Sequence, residues 1–321
     1  MKPKLIQMKP LLRLTLLLLT GFLCNEVYAQ PATVSIPISL GRNNCGGGGG
    51  KDSVYFYNYL SPGLSNANLP SGCFPKLKPK GFSIFSSGIS FNPADGMVYY
   101  QQFTASPQAT YVWRWDPATC PSTALDTLIK FNSAVIGITF DPNGIAWQLD
   151  FSPTINPKTG SLDAYLSTVD FNTGVLGKKD TMDLTGGAKI YSANSGDITL
   201  TPTGQMYFVI DNKLFTPNYS AYGGPTGHIP STFIDTIAKP SGAGNLVGLA
   251  FADGDLVSSY SGGCKYARID PVTGDTSGVN YTYPSSKGIY GVDLTQINSG
   301  IGVAKNFVSA TPTGTAKQDD V

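Results

Sequence analysis

A single histidine, His228 in "GGPTGHIPST", limits the acid–base chemistry that this chain of 321 residues can assemble. A Ser-His-Asp relay needs an imidazole between nucleophile and carboxylate, so any such relay has to be built around that residue. Its Gly/Pro-rich setting is not the strand-to-helix elbow that presents a nucleophilic serine, and no G-x-S-x-G stands beside it. His228 therefore reads as a loop histidine. The stretch "CGGGGGKDS", Cys45 to Ser53, invites comparison with the phosphate-cradling loop G-x-x-x-x-G-K-[ST]. Cys45 stands where the first glycine belongs, and Asp52 replaces the hydroxyl that would hold magnesium. It reads as a loop.

Aspartates are the remaining acids. Asp95–Gly96, Asp141–Gly144 and Asp253–Asp255 form acidic turns whose carboxylate and backbone oxygens are the ligands calcium takes. The same residues are the ordinary material of tight turns, because their side chains bond the local backbone. The turn reading is preferred, and the 12-residue calcium loop with its terminal glutamate is missing. No cofactor is expected, and calcium is the one ion these turns would suit. Two aspartates at the right separation would also suffice for glycoside hydrolysis, but no spacing marks such a pair. Trp113, Trp115 and Trp147, with 17 tyrosines, are candidate stacking surfaces for sugars. Alternation along "YVWRWD" puts Trp113 and Trp115 on one face and Arg114 on the other, an arrangement that packing explains better than a ligand does.

The elements that must position these groups begin after a targeting segment. Lys2, Lys4, Lys9 and Arg13, then "LTLLLLTGFL", then "VYAQ", have the basic, apolar and small-residue order of an export signal, with cleavage expected after Ala29. The apolar run is too short to span a bilayer, so no membrane span is expected after cleavage, and "GFLC" before Asn25 does not favour a lipid-anchored Cys24. Cleavage removes four basic residues and the only glutamate, Glu26, leaving a nearly neutral chain with no basic field to gather nucleic acid. Export leaves Cys45, Cys73, Cys120 and Cys264, an even set that allows two disulfides in three connectivities. The short loop favours Cys45 with Cys73. Four unpaired buried thiols are the alternative, and no C-x2-C spacing marks zinc.

A chain rich in Asp, Thr, Ser, Tyr and Val, with 37 Gly, 23 Pro and no remaining glutamate, is built for strands and turns rather than helices. "GISFNPADGMVYY" from Gly88 returns as "GITFDPNGIAWQL" from Gly137, "DITLTPTGQMYFV" from Asp197 and "GLAFADGDLVSSY" from Gly248. Each is an apolar alternation, a Pro/Asp/Asn/Gly turn and a second alternation, which is a β-hairpin. Recurrence every fifty to sixty residues is the period of a propeller array. "TYVWRWDPATC", "YLSTVDFNTGVLGKKDTM" and "KYARIDPVTGDTSGV" supply outer hairpins, "KLFTPNYS" a looser one. "GIYGVDLT" from Gly288 reads as a further inner strand, and "SVYFYNYLS" from Ser53 as strands that close the ring. The fold expected is an all-β propeller of about six four-stranded blades, with five and seven also compatible with the spacing.

These motifs, followed by "IGVAKNFVSATPTGTAKQDDV", resemble secreted, Bacteroidetes-type propeller repeat domains of unknown function that precede conserved-repeat Ig-like modules in surface proteins. The resemblance covers about residues 40–321. With the export signal read at 1–29, it implies a propeller over 30–299 and the start of a truncated Ig-like repeat or linker at 300–321, with further Ig-like modules downstream in a longer parent. It implies no reaction. Lactonase-like propellers use glutamate in a calcium-binding carboxylate set, which is lacking here. Sialidase-like propellers carry S-x-D-x-G-x-x-W turns, also lacking, and an arginine trio for which only Arg42, Arg114 and Arg268 are at hand. The expected function is a non-enzymatic recognition or scaffold module of a secreted or cell-surface bacterial protein, its partner a surface protein or glycan. The alternative is an extracellular carbohydrate-active or calcium-dependent enzyme using channel aspartates.

Overall fold

The computed structural model describes residues 35–42, 52–57, 66–67, 85–105, 108–115, 126–131, most of 137–276, 281–282 and 290–298. Among them the strands sort into five four-stranded units. The chain opens with β1 (Ser35–Arg42), β2 (Asp52–Tyr57) and β3 (Asn66–Ala67). Blade two is β4 (Phe85–Asn92), β5 (Met97–Ala105), β6 (Gln108–Trp115) and β7 (Asp126–Phe131). Blade three is β8 (Gly137–Phe140), β9 (Ala146–Phe151) and β10 (Ala164–Asp170), the short β11 (Val175–Leu176) lying on β10, and β12 (Asp180–Leu184). Blade four is β13 (Gly196–Leu200), β14 (Met206–Ile210), β15 (Lys213–Pro217) and β16 (His228–Thr236). Blade five is β17 (Leu246–Ala252), β18 (Asp255–Tyr260), β19 (Lys265–Ile269) and β20 (Tyr281–Thr282). The last strand, β21 (Tyr290–Asn298), pairs antiparallel with β1 and completes blade one.

The innermost strands β21, β4, β8, β13 and β17 neighbour one another in a closed cycle, which makes the fold a β-propeller. Five blades fall at the low end of the count that the repeat spacing accommodates. The segments around Ser53 and Gly288 do not make separate blades; they are two parts of one sheet, closed by the far end of the chain on its beginning. Helix is confined, among the described residues, to a single 3-10 turn at Tyr219–Ala221.

Each repeated motif is the inner hairpin of a blade, and in three of the four the residue that opens the turn also locks it. Asn92 Oδ1 accepts the N–H of Ala94 at 3.0 Å. Asp141 Oδ1 accepts the N–H groups of Asn143 and Ile145, both at 2.9 Å. Thr201 Oγ1 accepts the Gln205 N–H at 2.9 Å. A glycine three or four residues on then donates its N–H to the carbonyl of that same residue. These are side-chain-capped turns of the kind that Asn, Asp and Thr favour.

Core side chains lie between blades rather than at the centre of one sheet. Tyr99, Val112, Ile138, Phe140, Ala146 and Val169 pack blades two and three together. Trp147, Leu149, Leu166, Ile198, Phe208 and Phe215 belong to the larger cluster between blades three and four. Val209, Leu214, Leu249, Leu256, Tyr260 and Ile269 join blades four and five. Alternation along β9 therefore sends Ala146 to one neighbour and Trp147 and Leu149 to the other, as period-2 side-chain placement requires. Blades three and four are further fused at their outer edges, where β12 and β16 pair in parallel from Thr181 opposite His228 to Leu184 opposite Ser231. This pairing covers two edges that would otherwise be open to other chains.

Candidate functional site

Blade four departs from the regular pattern in the way that builds a groove. Between β15 and β16 the chain makes a ten-residue excursion, Asn218 to Gly227, instead of a tight turn. Successive short turns fold it: Ala221 N–H bonds the Asn218 carbonyl, Tyr222 that of Tyr219, Gly224 that of Ala221 and Gly227 that of Gly224. Blade three anchors it. The Tyr222 hydroxyl donates to the Lys178 carbonyl at 2.7 Å, and the Gly223 N–H donates to Asp180 Oδ2 at 2.6 Å. Tyr219 and Tyr222 meet the Trp147 ring edge-on at centroid distances of 5.2 and 5.0 Å, the geometry that aromatic quadrupoles favour.

Asp180 is fully buried, with Lys178 Nζ 3.0 Å from its Oδ1. Burial pushes its carboxyl upward, but hydrogen bonds from Lys178 and from the Gly223 N–H outweigh that and hold it below its ordinary value. Asp180 is thus an ionised pin for the loop. Burial, and then the Asp141 charge, push the Tyr219 phenol upward, so it stays a neutral hydroxyl.

The loop so held walls a groove of about 510 Å³, lined by Gly204, Gln205, Thr216, Asn218, Tyr219 and Thr232 among others. Among the described residues, no acid, histidine, cysteine, lysine or arginine belongs to its lining. Several of its polar atoms are committed: Thr216 Oγ1 donates to the Met206 carbonyl at 3.0 Å, and Ser220 Oγ donates to Asn218 Oδ1 at 2.6 Å. A second depression of about 450 Å³ is lined by Lys189, Tyr191, Lys213 and Phe233, with Lys213 ion-paired to Asp211 at 3.0 Å.

The residues singled out in the sequence are placed as follows. His228 begins β16 and is exposed, its Nδ1 2.8 Å from Asp183 Oδ1 across the β12–β16 pairing, so it is a strand residue beside a loop. Asp95 Oδ1 accepts the Met97 N–H at 2.9 Å, and its Oδ2 accepts the Tyr99 hydroxyl at 2.6 Å. With burial, that bond pushes the Tyr99 phenol up to about 12. Asp141 Oδ1 is spent on its own turn while its Oδ2 accepts the Trp147 indole N–H at 3.5 Å, and Asp255 pairs with Arg268. Arg42, Arg114 and Arg268 lie on β1, β6 and β19, strands of three different blades and none of them innermost. Trp147 is buried in the interblade core. Register places Trp113 and Trp115 opposite Tyr100 and Val98, and Arg114 opposite Tyr99. The side chains of Trp113 and Trp115 lie outside the described residues, as do Asp253, Cys45, Cys73, Cys120 and Cys264, residues 1–29 and 300–321, and the Gly46–Lys51 run. That run connects β1 to β2, whose Asp52 and Ser53 pair with Arg42 and Gly41. Among the described residues no three His, Cys, Asp or Glu side chains gather as a metal site, and no helix is long and apolar enough to cross a membrane.

The chain is a β-propeller, and comparison with known proteins adds neighbours of the same fold. No protein-family model matches it, and no curated sequence matches it. Its structure is similar to a chain of a nidogen–laminin complex, 10% identical with a TM-score of 0.44, over 82% of this chain and 98% of that one. It is similar to TolB from Acinetobacter baumannii, 13% identical with a TM-score of 0.41, over 84% of this chain and 58% of that one. A periplasmic gluconolactonase from Pseudomonas aeruginosa is similar at 13% identity and a TM-score of 0.37, over 78% of this chain and 67% of that one. Likeness at this level concerns the fold, and propellers host binding and catalysis alike.

Proposed function

We propose that this propeller is a non-enzymatic recognition module of a secreted or cell-surface bacterial protein, and that the blade-four groove takes a neutral, hydroxyl-rich ligand such as the sugars of a surface glycan. The observation that carries the reading is the groove's lining, where amides and hydroxyls stand beside Tyr219 and two prolines, with no carboxylate or imidazole among the described residues. Such groups donate to and accept from sugar hydroxyls, and an aromatic body with a polar tip suits a ligand with one apolar face. The volume lies within the span of small-molecule sites. The basic-apolar-small order of residues 1–29 supports export, which makes disulfides among Cys45, Cys73, Cys120 and Cys264 part of the same reading. The resemblance of the 300–321 segment supports Ig-like modules after the propeller in a longer parent. Calcium has no role in this reading.

Neutral oligosaccharides are titrated against the purified protein by calorimetry after a glycan-array screen, in parallel with assays for glycan, lactone and ester turnover. Saccharide binding that weakens at least tenfold in Tyr219→Ala, with the melting temperature retained, is expected. Absence of glycan binding by the wild type overturns the groove assignment. Turnover that disappears when one aspartate becomes asparagine, with folding intact, establishes the enzyme alternative instead.

A further inference from the structure

Three neutral polar side chains are buried at the interface of blades two and three without a protein partner. Gln101 on β5 and Gln148 on β9 are both 0% exposed, and neither amide oxygen nor amide nitrogen of either meets a hydrogen-bonding atom. Ser167 on β10 is 1% exposed, and its hydroxyl is likewise unpartnered.

Register puts all three on facing surfaces. Gln101 stands opposite Val112 and two residues from Tyr99, both members of the cluster between blades two and three. Gln148 stands opposite Ile138 on one side and Ser167 on the other, and is two residues from Ala146, while Ser167 is two from Val169. Ile138, Ala146 and Val169 belong to the same cluster. Because side chains alternate along a strand, Gln101 projects from blade two and Gln148 and Ser167 from blade three into one shared layer.

A buried amide or hydroxyl left without a partner is costly, and native interiors rarely retain such groups unless water satisfies them. Two amides and a hydroxyl on opposed faces supply donors and acceptors together, the mixed set that water matches by donating two bonds and accepting two. None of the three carries charge to balance an ion brought into an otherwise apolar layer.

We propose that blades two and three enclose an internal hydration site, an ordered water or small water cluster bonded by Gln101, Gln148 and Ser167. This water ties the two blades in the same sense as the bond from the Ser90 hydroxyl to the Ile138 carbonyl, which crosses the same interface. It belongs to the interior and not to the ligand groove of blade four.

Oxygen-17 magnetic relaxation dispersion, which counts long-lived internal waters, tests the site on the whole protein. Gln148→Leu and Ser167→Ala are compared with the wild type, the second variant serving if the first fails to fold. Loss of at least one long-lived water in either variant is expected. An unchanged water count in every variant that folds overturns the proposal, as does an atomic-resolution crystal structure in which the two amides bond directly to each other.

Discussion

Asp197 Oδ2 accepts the backbone N–H of Leu249 at 2.6 Å, from the innermost strand of blade four to that of blade five. The same side chain faces blade three so closely that a Cβ added to Gly137 would lie 2.7 Å from Asp197 Oδ1. One buried carboxylate therefore adjoins three successive blades. At the start of the repeated motif glycine occupies this position in three copies, at 88, 137 and 248, and aspartate in the fourth. The exception acts as a linking residue for the ring.

Replacing Asp197 by alanine leaves the Leu249 N–H without its acceptor. The expected loss is about 1.5–3 kcal/mol, the range for hydrogen bonds to charged groups. Urea unfolding of Asp197→Ala and Asp197→Asn measures it, with the asparagine variant losing less because its side-chain oxygen still accepts. Equal stability of Asp197→Ala and the wild type would show that the bond contributes nothing net.

Gly144 has φ of +83°, and a Cβ there would sit 2.6 Å from Ala94 Cβ in the turn of the neighbouring blade. Gly144→Val thus strains the backbone and collides across the interface. A destabilisation of about 1–3 kcal/mol is expected, read as a lower melting temperature, and Gly144→Ala should lie between the two.

Acid should loosen the groove before it unfolds the ring. Asp180, whose carboxyl is held below its ordinary value, contributes stability above the unfolded value of about 3.9 and loses it as pH falls through the folded value. Asp180→Asn removes this dependence. Between pH 6 and pH 3 the wild-type melting temperature should fall more steeply than that of Asp180→Asn. Parallel curves would mean that Asp180 is not the pin of the loop.

Three of the inner hairpins were legible in the sequence because one residue in each does two jobs. Asn92, Asp141 and Thr201 end one alternating run and, through their side chains, cap the turn that starts the next, so the local code is complete within thirteen residues. The number of blades was less legible, since blade one is split between β1–β3 and β21 and leaves no single repeat to count. The groove was not legible at all. Its walls come from the β13–β14 turn, the end of β15, the 218–227 loop and β16, and what holds them is Tyr222 and Asp180 reaching between blades. "KLFTPNYS" followed by "GGPTGH" marks a long, glycine-rich interruption, which is the one signal that pointed to blade four. The buried amides leave no trace either, because Gln101 and Gln148 sit in strands whose pattern does not announce which neighbour they face.

The pairing of β21 with β1 also sets an order of events during biosynthesis. β1, β2 and β3 leave the ribosome first, yet their innermost partner is among the last strands made. Blades two to five have all their strands in sequence and can form as they emerge, in keeping with the advantage of contacts close along the chain. Blade one has to wait with an unpaired edge. The nascent polypeptide consequently stays an open arc, with its ring of blades unclosed, until β21 arrives to pair with β1.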